Sequence, residues 1–396
     1  MTRLRILFHC QHLSGVGHYM RGLALTRELA RHHTVWLSDG GRSIPGADPG
    51  GGRLLALPRL RRREGRLETL DGRPAAAVWP ERARRLAGAV ARLAPDVVIV
   101  EHYPFSKWGL GAEVTGLLAA ARRRNPALLA VCSVRDIPLQ TRHEPVPAGD
   151  YVREVLARLH QWFDAVMVHA DPGLCRLEEA FPAAGRIRLS VGHTGLVPPG
   201  PDLAPDAPAG AAGATAGPSP YAVASIGGGR DAAALLARLA AHWPAIRRRA
   251  GLDDLPLALF SGLGPPDPAL ARAVAGQPAL SLHPFGPAYS AWLRGAALSI
   301  SCAGYNTCAQ LLQLRRPALL VPNTAMSDQL RRAERLQARG LARLLRPEAF
   351  SVAAVADELR ALRDAPPADP GVDLDGARGA RRFIEGLAGA GGHSDR

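Results

Sequence analysis

Lysine is almost missing from this chain. Lys107 is the sole lysine among 49 basic residues, and the arginines carry the net charge of +14. They are scattered along the sequence, with one dense cluster at Arg59, Arg61, Arg62, Arg63 and Arg66. Aromatic residues make up only 5%, and no DNA- or RNA-binding motif accompanies the charge, so a nucleic-acid partner is not expected. Cysteine pairs are lacking as well. Cys10, Cys132, Cys175, Cys302 and Cys308 are odd in number and include no C-x-x-C, which predicts small buried hydrophobes in a reduced protein. No run approaches the roughly 18 apolar residues of a membrane span. Ile6-Leu7-Phe8 is too short for a secretory core, so a cytoplasmic location is expected. A metal cluster is also missing. Asp373-Leu374-Asp375 is the one D-x-D, and it lies between proline-rich chain and a terminal helix, so neither a metal nor a cofactor is expected.

What is present is a regular alternation of apolar strands and amphipathic helices. Leu4–Cys10, Thr34–Ser38, Leu54–Leu57, Asp96–Val100, Leu128–Val134, Ala165–His169 and Ile187–Val191 read as strands. Helices are expected from His18, from Pro80 to Pro95, and over Tyr151–Phe163. Composition then shifts to proline, glycine and alanine at 196–220, a linker with almost nothing to bury. Tyr221–Ile226 restarts the pattern, and Leu255–Phe260, Leu280–His283, Leu298–Ser301 and Pro317–Pro322 continue it. At 396 residues the chain suits two domains. The expected division is 1–195, the linker 196–220, 221–364, and a tail 365–396 with a closing helix at Gly376–Leu387. Both halves read as doubly wound α/β sheets.

Two stretches collect polar residues where such sheets bind ligands, at the carboxyl ends of strands. In the first, Gly15-Val16-Gly17-His18 joins a strand to a helix, without the third glycine of the dinucleotide fingerprint. In the second, Leu298–Ser301 stops at Ala303-Gly304, and Asn306 and Thr307 open a helix whose unpaired amides suit a phosphate. The wording S-x-x-G-Y-N-T-x-x-Q-L-L (Ser301–Leu312), P-x-L-L-V-P (Pro317–Pro322) and D-Q-x-x-R-A (Asp328–Ala333) resembles the carboxyl-terminal domain of glycosyltransferase family 28. That family includes the enzyme forming lipid II, and a branch of predicted glycosyltransferases carries the GYNT wording itself.

The resemblance implies a GT-B fold, two Rossmann-like domains with a cleft between them. It implies transfer of a sugar from a nucleoside diphosphate, UDP being expected, to a hydroxyl acceptor, with inversion and without metal. On that reading Gly15, Gly17, Gly227, Gly228, Gly229, Arg230, Gly304, Tyr305, Asn306 and Thr307 serve the donor. Gln310 stands where family 28 usually has a ribose-binding glutamate, and Asp328 and Gln329 match the pair that reaches the donor sugar. His18 is the expected base, since imidazole titrates near neutrality, and the rate should then fall on acidification through that range. Glu101, His102, Tyr103, Arg135 and Asp136 follow strands on the acceptor side. A lipid-linked or membrane-surface acceptor would suit the Arg59–Arg66 cluster and a peripheral position at the inner membrane face. Two alternatives remain at this stage. The G-x-G-H-x-x-R wording from Gly15 to Arg21 also resembles a nucleotide-sugar hydrolase, and Gln310 in place of glutamate would fit a catalytically silent binding protein.

Overall fold

The computed structural model describes residues 2–13, 16–42, 44, 47–63, 66–137, 150–200, 220–225, 230–262, 265–286, 288–323, 327–365 and 369–391. The chain divides into two compact units, the first comprising residues 1–44, 48–199 and 372–396, the second 45–47 and 200–371.

In unit 1 the strands β1 (Arg5–His9), β2 (Thr34–Asp39) and β3 (Arg53–Ala56) precede a hairpin of β4 (Leu60–Arg63) and β5 (Arg66–Thr69). Then follow β6 (Val97–Glu101), β7 (Leu129–Arg135), β8 (Ala165–His169) and β9 (Ser190–His193). Among the described residues the main sheet has seven strands in the order β3-β2-β1-β6-β7-β8-β9, every neighbouring pair parallel. Helices cover both faces of such a sheet, which is why Ile6, Leu7, Phe8, Val98, Ile99, Val131 and Val166 are buried without alternation. The order reverses between β1 and β6, so the loops after these two strands diverge and leave room for a ligand.

Three sequence expectations shift here. The helix expected to open at Pro80 is α2 (Ala75–Leu93), with Pro80 inside it. The strong helix formers Ala75–Ala77 carry the start upstream, at the cost of one backbone hydrogen bond. Part of the arginine cluster lies in the β4–β5 hairpin, where Arg61 pairs with Glu68 at 3.0 Å. The expected linker begins late. Leu196 and Val197 are buried in unit 1, and the Leu196 amide donates to the Asp373 carbonyl at 2.8 Å. Asp373 thereby closes unit 1 structurally, and its Oδ1 accepts from the Asp375 amide. Residues 201–219 lie outside the described set.

Unit 2 repeats the architecture with β10 (Ala222–Ser225), β11 (Leu257–Phe260), β12 (Leu280–His283), β13 (Leu298–Ser301), β14 (Ala318–Leu320) and β15 (Arg343–Leu344). These form a six-stranded parallel sheet in the order β12-β11-β10-β13-β14-β15, with its reversal between β10 and β13. No helix among the described residues is long and apolar enough to cross a membrane.

The terminal helix, Gly376–Gly391, packs within unit 1 through Gly376, Gly379 and Ile384. A Cβ on Gly379 would lie 2.1 Å from the Thr194 carbonyl, whereas one on Gly386 would meet nothing. Gly379→Val should therefore destabilise unit 1 by about 1–3 kcal/mol, because backbone cannot give way as a side chain can. Gly386→Ala should be neutral or stabilising by up to about 1 kcal/mol. Thermal unfolding of the two variants checks both signs, and equal melting temperatures would contradict this docking.

Candidate functional site

The segment after β1 and the end of β6 meet at the reversal point of unit 1. Helix α1 (Gly17–Ala30) brings His18 and Arg21 one turn apart onto the same side, and β6 ends in Glu101. His18 Nδ1 lies 2.8 Å from Glu101 Oε1, and the Arg21 guanidinium bonds the same oxygen. Burial alone would raise the Glu101 carboxyl. Arg21, the His18 hydrogen bond and Lys107 instead hold it well below the ordinary carboxylate range. Glu101 is therefore an anion that only accepts, and His18 Nδ1 carries the proton between them. The lone pair of neutral His18 is left on Nε2, with a quarter of the side chain exposed.

His102 follows Glu101, its ring edge-on to that of His18 at 4.7 Å between centroids. The backbone of His102 (φ 65°) and of Lys107 (φ 64°) is left-handed, a conformation that costs about 1 kcal/mol or more in such residues. Burial and the neighbouring His18 push His102 well below the usual imidazole range. One ligand atom each from His18, Glu101 and His102 lies within 4.8 Å of the others. The charge around them disfavours a dication, which would compete with Arg21 for Glu101 and face Lys107 and Arg135.

The other acceptor-side candidates separate. The Arg135 amide approaches His102 Nε2 at 3.4 Å, so its backbone joins the cluster. Asp136 Oδ1 accepts from the Ile137 amide at 2.8 Å and shapes its own loop. Tyr103 packs against Trp108 and Phe163 and borders a different cavity, of about 410 Å³, with Gly111, Arg158 and Trp162. Sequence reasoning did not single out Ser133, His169 or Thr194. Ser133 lies within β7, His169 ends β8 and Thr194 follows β9, and for the first two a polar residue in an otherwise apolar buried strand was the available signal.

In unit 2 the ends of β10 and β13 lie side by side, Ser225 paired with Ser301. Gly15 and Gly227–Gly229 lie outside the described residues, and Arg230 opens the helix Arg230–Ala250. The helix Tyr305–Gln313 has Gly304 at its N-cap, which offers no side chain to the first-turn amides, and no acidic residue in its first turn. Tyr305 is buried, and Asn306 and Thr307 are half-buried. The Gln310 amide donates to Ser290 Oγ at 2.8 Å. Gln329 Oε1 accepts from the Asn323 amide at 3.0 Å. Asp328 pairs with Arg332 at 2.8 Å, and Arg332 donates to the Ala303 carbonyl at 2.6 Å. That bridge ties the D-Q turn to the glycine turn after β13.

Residues 226–370 match the glycosyltransferase family 28 C-terminal domain. No curated protein matches the sequence. Among solved structures, the calicheamicin glycosyltransferase CalG4 superposes with a TM-score of 0.56 at 17% identity, covering 100% of both chains. MurG of Acinetobacter baumannii gives 0.54 at 16%, over 96% of this chain and 99% of its own. UGT89C1 of Arabidopsis thaliana, complexed with UDP-L-rhamnose, gives 0.57 at 12%, over 99% and 100%. The structural likeness shows the GT-B fold of two Rossmann-like domains. The family 28 domain over residues 226–370 identifies an enzyme of the glycosyltransferase class.

Burial and the Lys107 cation lower His18 to about 3, against the pull of Glu101. Burial lowers His169 to about 3 as well, helped by Arg21. The sequence expectation of titration near neutrality is thus corrected by desolvation. In the unfolded chain both imidazoles take up protons below about 6.5, and the folded ones do not until about 3, so stability falls as pH drops through that window. His169 alone should cost on the order of 2 kcal/mol between pH 7 and 5. Calorimetry should show the melting temperature falling by several degrees over that range, and His169→Gln should flatten the slope by about one proton. A flat wild-type profile would contradict buried neutral histidines.

Proposed function

We propose that this family 28-like glycosyltransferase moves a sugar from a nucleoside diphosphate, UDP being the expected nucleotide, to a hydroxyl acceptor by a single inverting displacement without metal. The observation that carries the reading is the His18–Glu101 hydrogen bond, which leaves Nε2 of a neutral imidazole as the proton acceptor. As the acceptor oxygen bonds to the anomeric carbon, its proton passes to His18 Nε2. The bond from that carbon to the diphosphate oxygen breaks, and its electron pair leaves with the diphosphate. Glu101 stabilises the imidazolium so formed, as a buried carboxylate does for a histidine base in acyl transfer.

The leaving diphosphate requires positive potential without desolvated cations in its path. Backbone amides at the mouth of Tyr305–Gln313 supply it, and the triple glycine Gly227–Gly229 of the sequence, just before Arg230, is assigned to the same task. In this reading Gly304, Tyr305, Asn306 and Thr307 cradle the phosphates, and Gln310 supplies an acceptor for the ribose hydroxyls. Asp328 and Gln329 meet the donor sugar, held by Arg332 and the Asn323 amide. Gly15 and Gly17 let the substrate approach His18 closely. The acceptor is met by His102 and the Arg135 backbone, with Tyr103 and Asp136 shaping the loops that carry them. A membrane-surface acceptor fits the exposed Arg59 and Arg66 beside the β4–β5 hairpin, and with it a cytoplasmic, peripheral location.

Replacing His18 by Ala should lower kcat by about a hundredfold or more, because the base acts in the transition state. Donor affinity by calorimetric titration should hardly move, since the nucleotide contacts belong to unit 2. The wild-type rate should stay level on acidification from pH 8 to about 5 while the fold holds, His18 remaining neutral to about 3. A near-normal kcat in the variant would remove His18 from the chemistry. Free sugar released from donor alone as fast as transfer would make water the acceptor.

Turnover should also survive EDTA. Loss of activity in chelator, restored by manganese or magnesium, would overturn the amide-and-dipole account of the leaving group.

A further inference from the structure

Beyond the His18–Glu101 pair, a hydrogen-bond chain runs sideways across the sheet of unit 1. Glu101, at the end of β6, is paired in register with Ser133 of β7, and Ser133 Oγ lies 3.2 Å from Glu101 Oε2. On its other side Ser133 Oγ lies 3.0 Å from His169 Nε2, at the end of β8. His169 Nδ1 lies 2.8 Å from Thr194 Oγ1, just after β9. Ser133 and His169 are fully buried and Thr194 is 2% exposed, so along this path no bulk water mediates.

The direction of every proton on this path follows from one fact. Glu101 is ionised, so Ser133 must donate to it. Having spent its proton there, Ser133 can only accept from His169, which therefore carries its hydrogen on Nε2. His169 Nδ1 is then a lone pair and accepts the Thr194 hydroxyl proton. A reversed chain would point Ser133 away from Glu101 and leave a buried carboxylate oxygen with one donor fewer, at about 1–3 kcal/mol.

We infer that His169 and Ser133 are positioning residues for the transfer reaction, holding the Glu101 carboxylate in the orientation and charge that keep His18 in its Nδ1–H tautomer and neutral. The inference rests on the proposed role of His18. Ser133 withdraws negative charge from the carboxylate that His18 faces. Without that donation Glu101 attracts a proton on His18 more strongly, and the base becomes cationic at higher pH.

The first test is on the wild-type protein and needs no activity. Nitrogen-15 NMR of histidine-labelled protein should show His169 neutral, with its proton on Nε2. A proton on Nδ1, or a cationic ring at pH 7, overturns the inference. The second test is kinetic, with Ser133→Ala, His169→Leu and His169→Gln, each checked for wild-type-like near-ultraviolet circular dichroism. Ser133→Ala and His169→Leu should lower kcat about tenfold at unchanged donor KM and move the acid limb of the rate upward in pH. His169→Gln should stay within about threefold of wild type, because its amide can still donate to Ser133. A lowered kcat with an unmoved acid limb, or equal losses in His169→Gln and His169→Leu, would make the chain merely structural and overturn the inference. The His18→Ala result separates this outcome from failure of the reaction itself. If His18→Ala is fully active the base lies elsewhere, whereas loss there with no limb shift in Ser133→Ala sinks only the chain.

Discussion

Taking an ionised carboxylate out of water costs several kcal/mol, and only a complete set of donors offsets that loss. Glu101 meets the requirement with Arg21, His18 and Ser133. The donors arrive on two elements, Arg21 and His18 on α1 and Ser133 on β7, so satisfying one anion fixes α1 and β7 against the end of β6. The same set of donors decides the chemistry. An anionic Glu101 dictates the tautomer of His18, and Lys107, which helps to keep Glu101 anionic, acts with burial to keep His18 neutral. Structure and reactivity at this point are one electrostatic arrangement, in which no single partner changes without altering the others.

Topology explains why the arrangement sits where it does. In a parallel sheet all carboxyl ends lie along one edge, and where the strand order reverses, neighbouring loops turn to opposite faces. In unit 1 that point separates β1 from β6; the helix after the first supplies His18, and the last residue of the second is Glu101. In unit 2 it separates β10 from β13, and the glycine turn at Gly304 follows the second of these. The two units thus place different groups at equivalent points, a histidine–carboxylate pair in one and a glycine-capped helix mouth in the other.

The sequence was most legible where local chemistry is specific. Apolar runs such as Asp96–Val100 marked buried parallel strands, and the GYNT helix mouth was readable because glycine, then small polar residues, then leucines leave few other options. The β4–β5 hairpin was not readable, because arginines on both strands hide the alternation that marks a half-buried ribbon. Pro80 misled for a similar reason, since a proline's usual place at a helix start was outweighed by the alanines before it. At the site, His18 was visible from its glycines, and Glu101 and His102 from their place after a strand. Arg21 was visible only as the end of the G-x-G-H-x-x-R wording, and its partner, like the roles of Ser133, His169 and Thr194, emerged only through distance. Arg21 is 80 residues from Glu101 and His169 is 36 from Ser133, separations across which sequence pattern carries no signal. The pKa of His18 was equally hidden, because desolvation and the Lys107 cation are properties of packing.

The arginine-rich composition acquires a structural account from the same logic. Among the described residues three arginines are almost wholly buried, and each pairs with one carboxylate. Arg21 holds Glu101 after β6, and Arg332 holds Asp328 and the Ala303 carbonyl after β13. Arg82 pairs with Glu113 at 2.6 Å and donates to Gln11 Oε1, while the Gln11 amide bonds the His12 and Gly40 carbonyls after β1 and β2. Guanidinium suits this task better than ammonium. Its five donors in a fixed plane can meet a carboxylate and a carbonyl or amide together, and it stays charged when desolvated. A lysine at any of these positions would satisfy fewer acceptors and could lose its proton on burial. The near-absence of lysine and the excess of arginine are therefore coherent, at these three points, with loops that must stay in place around a site where proton positions matter.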